Sequence, residues 1–443
     1  MVTLIKVWLG LLYLSTSITA LPTWPQRRDG PVPPSDDVWY QPPPDFESAE
    51  PGAILKKREV PYPIAAFNKV PIDIQSAHHV MFRSADNFGN PAVAVTTILV
   101  PHDVDYEKVL SYQVAEDAST PNCAPSYALQ KDHEDTGTST TQAEFLLMIA
   151  ALSHGWVVNV PDFEGLEGAY LANLRAGYHT LDSIRAALSS GSFTNVSSEA
   201  RVAMWGYSGG SLASGFAAEL QPSYAPELNI VGAALGGTVP TIFPVIDLAN
   251  ESPNAGLIAG GIIGLSHEYE EVQNMLDEQL VPETRDYFMQ AAEQCFTENT
   301  EDFKDHDIYG YFKNPDIFRE ETLQRIMTEN SMGHHTPTIP LLVYKADKDE
   351  ISDADDTTQL VEKYCDAGAI VHHNRDGTAN HGALAIIGAP DALIWLKDRL
   401  EGEESQTECT EHWEWVSILD PEALWVFSKV LVHELKALLG GEV

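Results

Sequence analysis

Apolar positions change their spacing several times along the chain, and each change marks a different kind of element. Residues 92–100 read Ala-Val-Ala-Val-Thr-Thr-Ile-Leu-Val, a β-branched run that Pro101 ends. Shorter runs at 72–76, 79–83 and 108–112 share this character and predict a β-rich start. From 141 to 153 the spacing becomes helical. Trp156-Val157-Val158-Asn159-Val160 then reads as a buried strand, and 170–189 is amphipathic, with Leu181, Ile184, Ala187 and Leu188 on one face. Two further apolar runs, 201–205 and 228–235, flank the helix-forming stretch 211–220. Strands alternating with helices need crossover connections, so the pattern predicts parallel βαβ units in an open α/β sheet.

The alternation lapses over 239–338, where no clean strand occurs. Proline-containing 240–253 is followed by the apolar, glycine-rich 255–265 and by acidic helical stretches near 268–296 and 315–330. This predicts a helical cap inserted into the sheet; as a lid it would expose apolar surface on opening. The sheet resumes at 339–346, with one more strand near 369–373 and a helix from about 383 to 400. Residues 40–238 and 339–443 are therefore read as two parts of one core. At the start, Lys6, the short apolar run 7–14 and the small residues up to Ala20 have the form of a secretory signal over 1–20. Its apolar run is too short to span a bilayer comfortably. Residues 21–39 read as a proline-rich leader outside the fold. Arg27-Arg28 is a candidate processing site, and Lys56-Lys57-Arg58 is a second basic cluster.

Composition narrows the function. A chain of 443 residues that is 44% hydrophobic is globular. Its net charge of −39 disfavours nucleic acid and anionic membranes as partners and suits an uncharged substrate. Four cysteines in an exported chain predict two disulfides, with three pairings open. Asn195 and Asn250 head N-glycosylation acceptor motifs.

The chemistry centres on Gly206-Tyr207-Ser208-Gly209-Gly210. A G-x-S-x-G between a strand and a helix presents its serine on a sharp turn, with glycines relieving backbone clashes and the Gly209 N–H facing a developing oxyanion. Serine needs a base, and the base needs a carboxylate to fix its tautomer. The expected chain order is Ser, acid, His. Asp349 after the 339–346 strand is the favoured acid over Asp347, with Ile351 expected to tuck into the core and fix the turn. Asp353, Asp355 and Asp356 crowd the same loop. His381, in a loop before a helix, is the favoured base over His372 and His373, which lie in a strand. A second oxyanion donor is expected after an earlier strand, and Pro161-Asp162-Phe163-Glu164-Gly165 is the candidate. The histidine pairs 334–335 and 372–373 lack metal-ligand spacing, so neither a metal nor another cofactor is expected.

These residues resemble the fungal secretory lipases, the lipase A-like group of α/β-hydrolases. The resemblance extends from about Tyr40 to Trp415. It is carried by the elbow and by the segments at 46–55, 111–113, 123–127, 224–233 and 236–238. It implies an α/β-hydrolase fold with a helical cap, a mostly parallel sheet flanked by helices, and a Ser208, Asp349, His381 triad. It also implies an oxyanion hole from Asp162 and the Gly209 N–H, and the pairings Cys123 with Cys295 and Cys365 with Cys409. The implied activity is that of a secreted serine ester hydrolase acting on lipid or small-molecule esters, with transient lipid contact through the cap and no obligate protein partner. Removal of a short acyl group from a secondary metabolite, as in the family's trichothecene deacetylases, is the alternative. A non-catalytic binding protein, a peptidase or an acyltransferase would use the same scaffold differently.

Overall fold

A computed structural model of the chain describes residues 30–134, 137–403 and 407–414. The signal at 1–20, the first part of the leader with Arg27-Arg28, and everything from Trp415 onward lie outside the described residues. Ten strands form one sheet: β1 (Ile54–Glu59), β2 (Ser76–Ala85), β3 (Pro91–Val100), β4 (Asp105–Gln113), β5 (Trp156–Pro161), β6 (Arg201–Tyr207), β7 (Ile230–Gly236), β8 (Leu341–Ala346), β9 (Val371–Asp376) and β10 (Thr410–Glu414). Their spatial order is β1-β2-β3-β5-β4-β6-β7-β8-β9-β10. Pairings from β5 onward are parallel, and those among β1, β2, β3 and β5 are antiparallel.

The crossover helices include α1 (Ser139–Ser153), α2 (Asn173–Leu188) and α3 (Gly209–Tyr224). Val80, Phe82, Leu181, Ile184 and Phe216 share the core on one face of the sheet, and Leu110, Tyr112, Phe145, Trp156 and Trp205 share that on the other. Helices cover both faces, so β5 and β8 are buried along their whole length, which is why they read as continuous apolar runs. The chain goes from β4 back to β5 and then across to β6, so connections diverge between β4 and β6. Open α/β sheets bind ligands in the crevice at such a point, beyond the strands' carboxyl ends.

Between β7 and β8 lie α4 (Ile242–Ala249), α5 (Ala255–Ser266), α6 (Glu270–Gln279), α7 (Phe296–Asp302) and α8 (Glu321–Glu329). They enclose a core of their own that includes Leu276, Phe288, Phe303 and Phe312. The glycines of α5 serve close packing: a Cβ on Gly264 would lie 2.5 Å from the Tyr170 carbonyl oxygen, and one on Gly256 2.2 Å from that of Asn299. Two devices tie this layer to the sheet. Cys123 is bonded to Cys295. Buried Asn330, just after α8, donates to Tyr269 Oη (2.8 Å), while its side-chain oxygen accepts from Asn87 Nδ2 (2.9 Å) and the Asn173 N–H (2.8 Å). The second disulfide joins Cys365 to Cys409.

Beyond the sheet lie α9 (Ala354–Asp366), α10 (His381–Ile387) and α11 (Ala389–Glu401). Four features differ from the sequence expectations. Residues 72–75 are not a strand; Ile72 and Ile74 alternate because one side packs on the core, without a ladder partner. The single helix expected over 383–400 is split, because Pro390 sits in the first turn of α11, where its missing N–H costs nothing. Asp353 caps α9 rather than crowding a loop. The later part of the leader, from Gly30, is packed: Asp37 pairs with Arg58 at 2.7 Å and the Arg58 guanidinium covers the Trp39 ring. The basic cluster is accordingly part of β1, with Lys57 over the Phe193 ring.

Candidate active site

β6 ends at Tyr207 and α3 begins at Gly209, so Ser208 occupies the turn between them. Its φ of 51° is costly for a residue with a Cβ and holds only because the surroundings fix it. The Ser208 N–H donates to the Gly236 carbonyl at 2.8 Å. The flanking glycines are sterically required. A Cβ on Gly206 would stand 2.1 Å from the Gly210 carbonyl oxygen, and one on Gly210 2.0 Å from that of Gln113. At the start of α3 the Gly209 N–H is one of those with no intrahelical partner, and Gly209 lines the crevice.

His381 opens α10, with Asn380 capping the helix through the Ala383 N–H at 3.0 Å. The His381 N–H donates to Glu350 Oε2 at 2.9 Å, and its carbonyl accepts from Tyr207 Oη. Held in this way, the ring puts Nε2 2.9 Å from Ser208 Oγ and Nδ1 2.7 Å from Asp349 Oδ2. Asp349 follows β8, and its Oδ1 accepts from the N–H groups of Ile351 (2.9 Å) and Ser352 (3.0 Å). The carboxylate itself therefore fixes the turn. Ile351 does not tuck into the core but lines the cavity. Burial raises the Asp349 pKa, but the His381 hydrogen bond and charge, followed by Lys345, outweigh it and hold the carboxyl well below its usual range. Lys345 Nζ lies 2.9 Å from Asp349 Oδ2. Asp347, the other candidate acid, pairs with Arg375 at 2.8 Å. His372 and His373 lie in β9 away from this group, and burial pushes His373 down to about 4.

Asp162 is not brought to the serine. Its Oδ1 accepts from the Ser126 N–H at 2.9 Å and its Oδ2 from the Ser126 hydroxyl at 2.5 Å, and it does not line the cavity. The carboxyl beside Gly209 belongs to Asp117: a Cβ on Gly209 would lie 1.9 Å from Asp117 Oδ1. That oxygen is buried with no hydrogen-bond partner in the structure. Strand order explains the difference. Asp162 follows β5, which is separated from β6 by β4, whereas Asp117 lies just beyond β4, directly beside β6. Asp117 has a φ of 47°, and burial pushes its carboxyl up to about 7 against a hydrogen bond from Tyr170. Burial likewise pushes Glu144 to about 8, although Tyr112 Oη (2.8 Å) and the Ala115 N–H (3.0 Å) donate to it.

Ser208, His381, Gly209 and Asp117 open onto a cavity of about 520 Å³. Its walls continue through Ile258, Ile262, Met275, Phe318, Leu323 and Ile326, all drawn from the core of the helical layer. Ile386, 72% exposed on α10, lines it where it meets solvent.

A family model described as secretory lipase matches residues 130–408. Lipase A of Arthroderma benhamiae is 48% identical over 426 residues, covering 95% of this chain and 91% of that protein. Lipase 5 of Candida albicans is 39% identical over 394 residues, covering 86% and 83%. Among solved structures, Candida antarctica lipase A in its closed state matches with a TM-score of 0.82 at 26% identity, covering 92% of this chain and 96% of that one.

Proposed function

Because this chain belongs to the secretory lipase family, has the α/β-hydrolase fold and is an ester hydrolase, we propose that it cleaves long-chain acyl esters through Ser208, His381 and Asp349. The observation that carries the reading is the continuity of one apolar cavity from Ser208 Oγ into the core of the helical layer. Ligand pockets of roughly 300–1,000 Å³ enclose drug-sized molecules. A cavity of about 520 Å³ is far larger than an acetyl group needs.

Ser208 Oγ attacks the ester carbonyl carbon as its proton passes to His381 Nε2, 2.9 Å away. Asp349 holds Nδ1–H, fixes the tautomer and stabilises the imidazolium. The Gly209 N–H and the protonated Asp117 carboxyl donate to the tetrahedral oxyanion. Collapse breaks the bond to the alcohol oxygen, which takes the proton from His381 and leaves. Water then repeats the sequence on the acyl-Ser208 ester, releasing the acid.

We also read the chain as exported, given two disulfides in a family described as secretory. Asn195 is exposed and open to a glycan. The Asn250 amide, in contrast, donates to Asp307 at 3.1 Å and accepts from the Ile308 N–H at 2.7 Å. Exposed Ile386 and, on α4, Leu248 offer apolar contact to a lipid surface.

The test is a series of p-nitrophenyl esters from acetyl to palmitoyl. Expected kcat/KM rises by roughly 1.6 kcal/mol of transition-state binding per two buried methylenes, about fifteenfold, until the cavity is full. A Met275→Trp variant should move the optimum to shorter chains. Activity peaking at acetyl would reject the long-chain reading in favour of a metabolite deacetylase.

A further inference from the structure

Lys345 is the one basic residue in β8, between Tyr344 and Ala346, and its side chain is fully buried. Lysine is almost never fully buried unless paired, and an ammonium loses its hydration on burial. Its two contacts are specific: Nζ donates to the Thr238 carbonyl at 2.8 Å and lies 2.9 Å from Asp349 Oδ2. That oxygen is the one that also accepts from His381 Nδ1 at 2.7 Å.

We propose that Lys345 is a positioning residue that acts through Asp349 to keep His381 available as a base in acidic medium. This rests on the reading of Ser208, His381 and Asp349 given above. An imidazolium beside a lone carboxylate is strongly favoured; beside a carboxylate already neutralised by an ammonium it is favoured less. Lys345 thus weakens the pull of Asp349 on an imidazolium proton, and only the neutral ring can accept the Ser208 proton. Lys345 also keeps Asp349 ionised in acidic medium. In a chain of net charge −39 the surrounding field otherwise favours proton uptake.

The neighbouring charges leave Lys345 this role. Burial lowers the Lys345 pKa, while Asp349 and then Asp356 and Asp353, around the start of α9, act against it in favour of the ammonium. On β9, Arg375 is held by Asp347. On the histidine side, Glu350 accepts the His381 N–H, the Tyr207 ring lies 5.3 Å from the imidazole, and Asp117 and Glu144 line the cavity. All of these groups stay in place when Lys345 alone is changed.

The experiment is the pH profile of kcat/KM on one nitrophenyl ester, each variant normalised to its own plateau. Lys345→Met and Lys345→Gln remove the charge; Gln keeps a donor for the Thr238 carbonyl and serves if Met fails to fold. Both are expected to move the acid limb up by about one pH unit, the scale of a charge contact at this distance. Lys345→Arg is expected to hold it near the wild-type position. A folded neutral variant whose acid limb stays put or moves down overturns the proposal. Ser208→Ala separates the two claims. If it is inactive while the limb does not move, only the Lys345 inference fails; if it retains wild-type rates, the underlying mechanism fails.

Discussion

Ser208→Ala is expected to lower kcat/KM on a long-chain nitrophenyl ester by roughly 10⁵- to 10⁶-fold, leaving a residual rate from binding and the oxyanion donors. His381→Ala should cost about as much. The double variant should be no worse than either, since a nucleophile without its base and a base without its nucleophile are equally idle. Asp349→Asn should cost roughly 10⁴-fold, because the amide permits the wrong ring tautomer. The losses in Ser208→Ala and His381→Ala should not come from unfolding: the contacts these residues make through their backbones survive the truncation, and the melting curve of Ser208→Ala should overlay the wild type. Initial rates beside calorimetry check both statements. Additive losses in the double variant would show that the two residues do not act as a unit.

Asp117→Ala is expected to cost about 10²- to 10³-fold in kcat, the usual loss on removing one oxyanion donor. Its carboxyl donates only while protonated. Burial holds it at about 7, so activity should fall as pH rises through that value. Asp117→Asn keeps a donor that cannot ionise, and should retain activity within about tenfold while losing the alkaline fall. The stability consequence has the same sign. A carboxyl raised from its ordinary value contributes fully below about 4 and loses that contribution as pH rises through about 7, so Asp117→Asn should raise the melting temperature at pH 8 more than at pH 5. An unchanged alkaline limb in Asp117→Asn would exclude the protonated carboxyl as donor. Asp162→Asn, whose partner is Ser126, is the control.

The two aspartates show what the sequence can and cannot reveal. The rule that a second donor follows an earlier strand was available from the elbow alone. Two strands satisfied it, and only spatial order, with β4 beside β6, selects between them. Sequence spacing carries no such order when the chain doubles back. That Ser208, His381 and Asp349 meet was legible because strand, turn and helix signals bracket each of them. The buried strands were legible because two covered faces leave a continuous apolar run. β10 was not, since the exposed Glu411, His412 and Trp413 give no such pattern. For α9, the acids at 353–356 read as a solvated loop. A capping Asp followed by acids in the first turn is also how a helix begins, and Leu360, Val361 and Tyr364 supply its buried face. Lys345 was hidden inside an apolar run, where sequence gives no sign of the carboxylate waiting on the same side.

The central claim is that Ser208 Oγ is the nucleophile of an acyl site opening into the apolar cavity. The most direct test is to treat the protein with a p-nitrophenyl alkylphosphonate bearing a long alkyl chain and to digest it for mass spectrometry. One phosphonyl group on the Ser208 peptide, formed in step with loss of activity and faster than with a methyl analogue, is the result predicted. Complete inactivation with the label on another residue, or full labelling of Ser208 with activity intact, would contradict it.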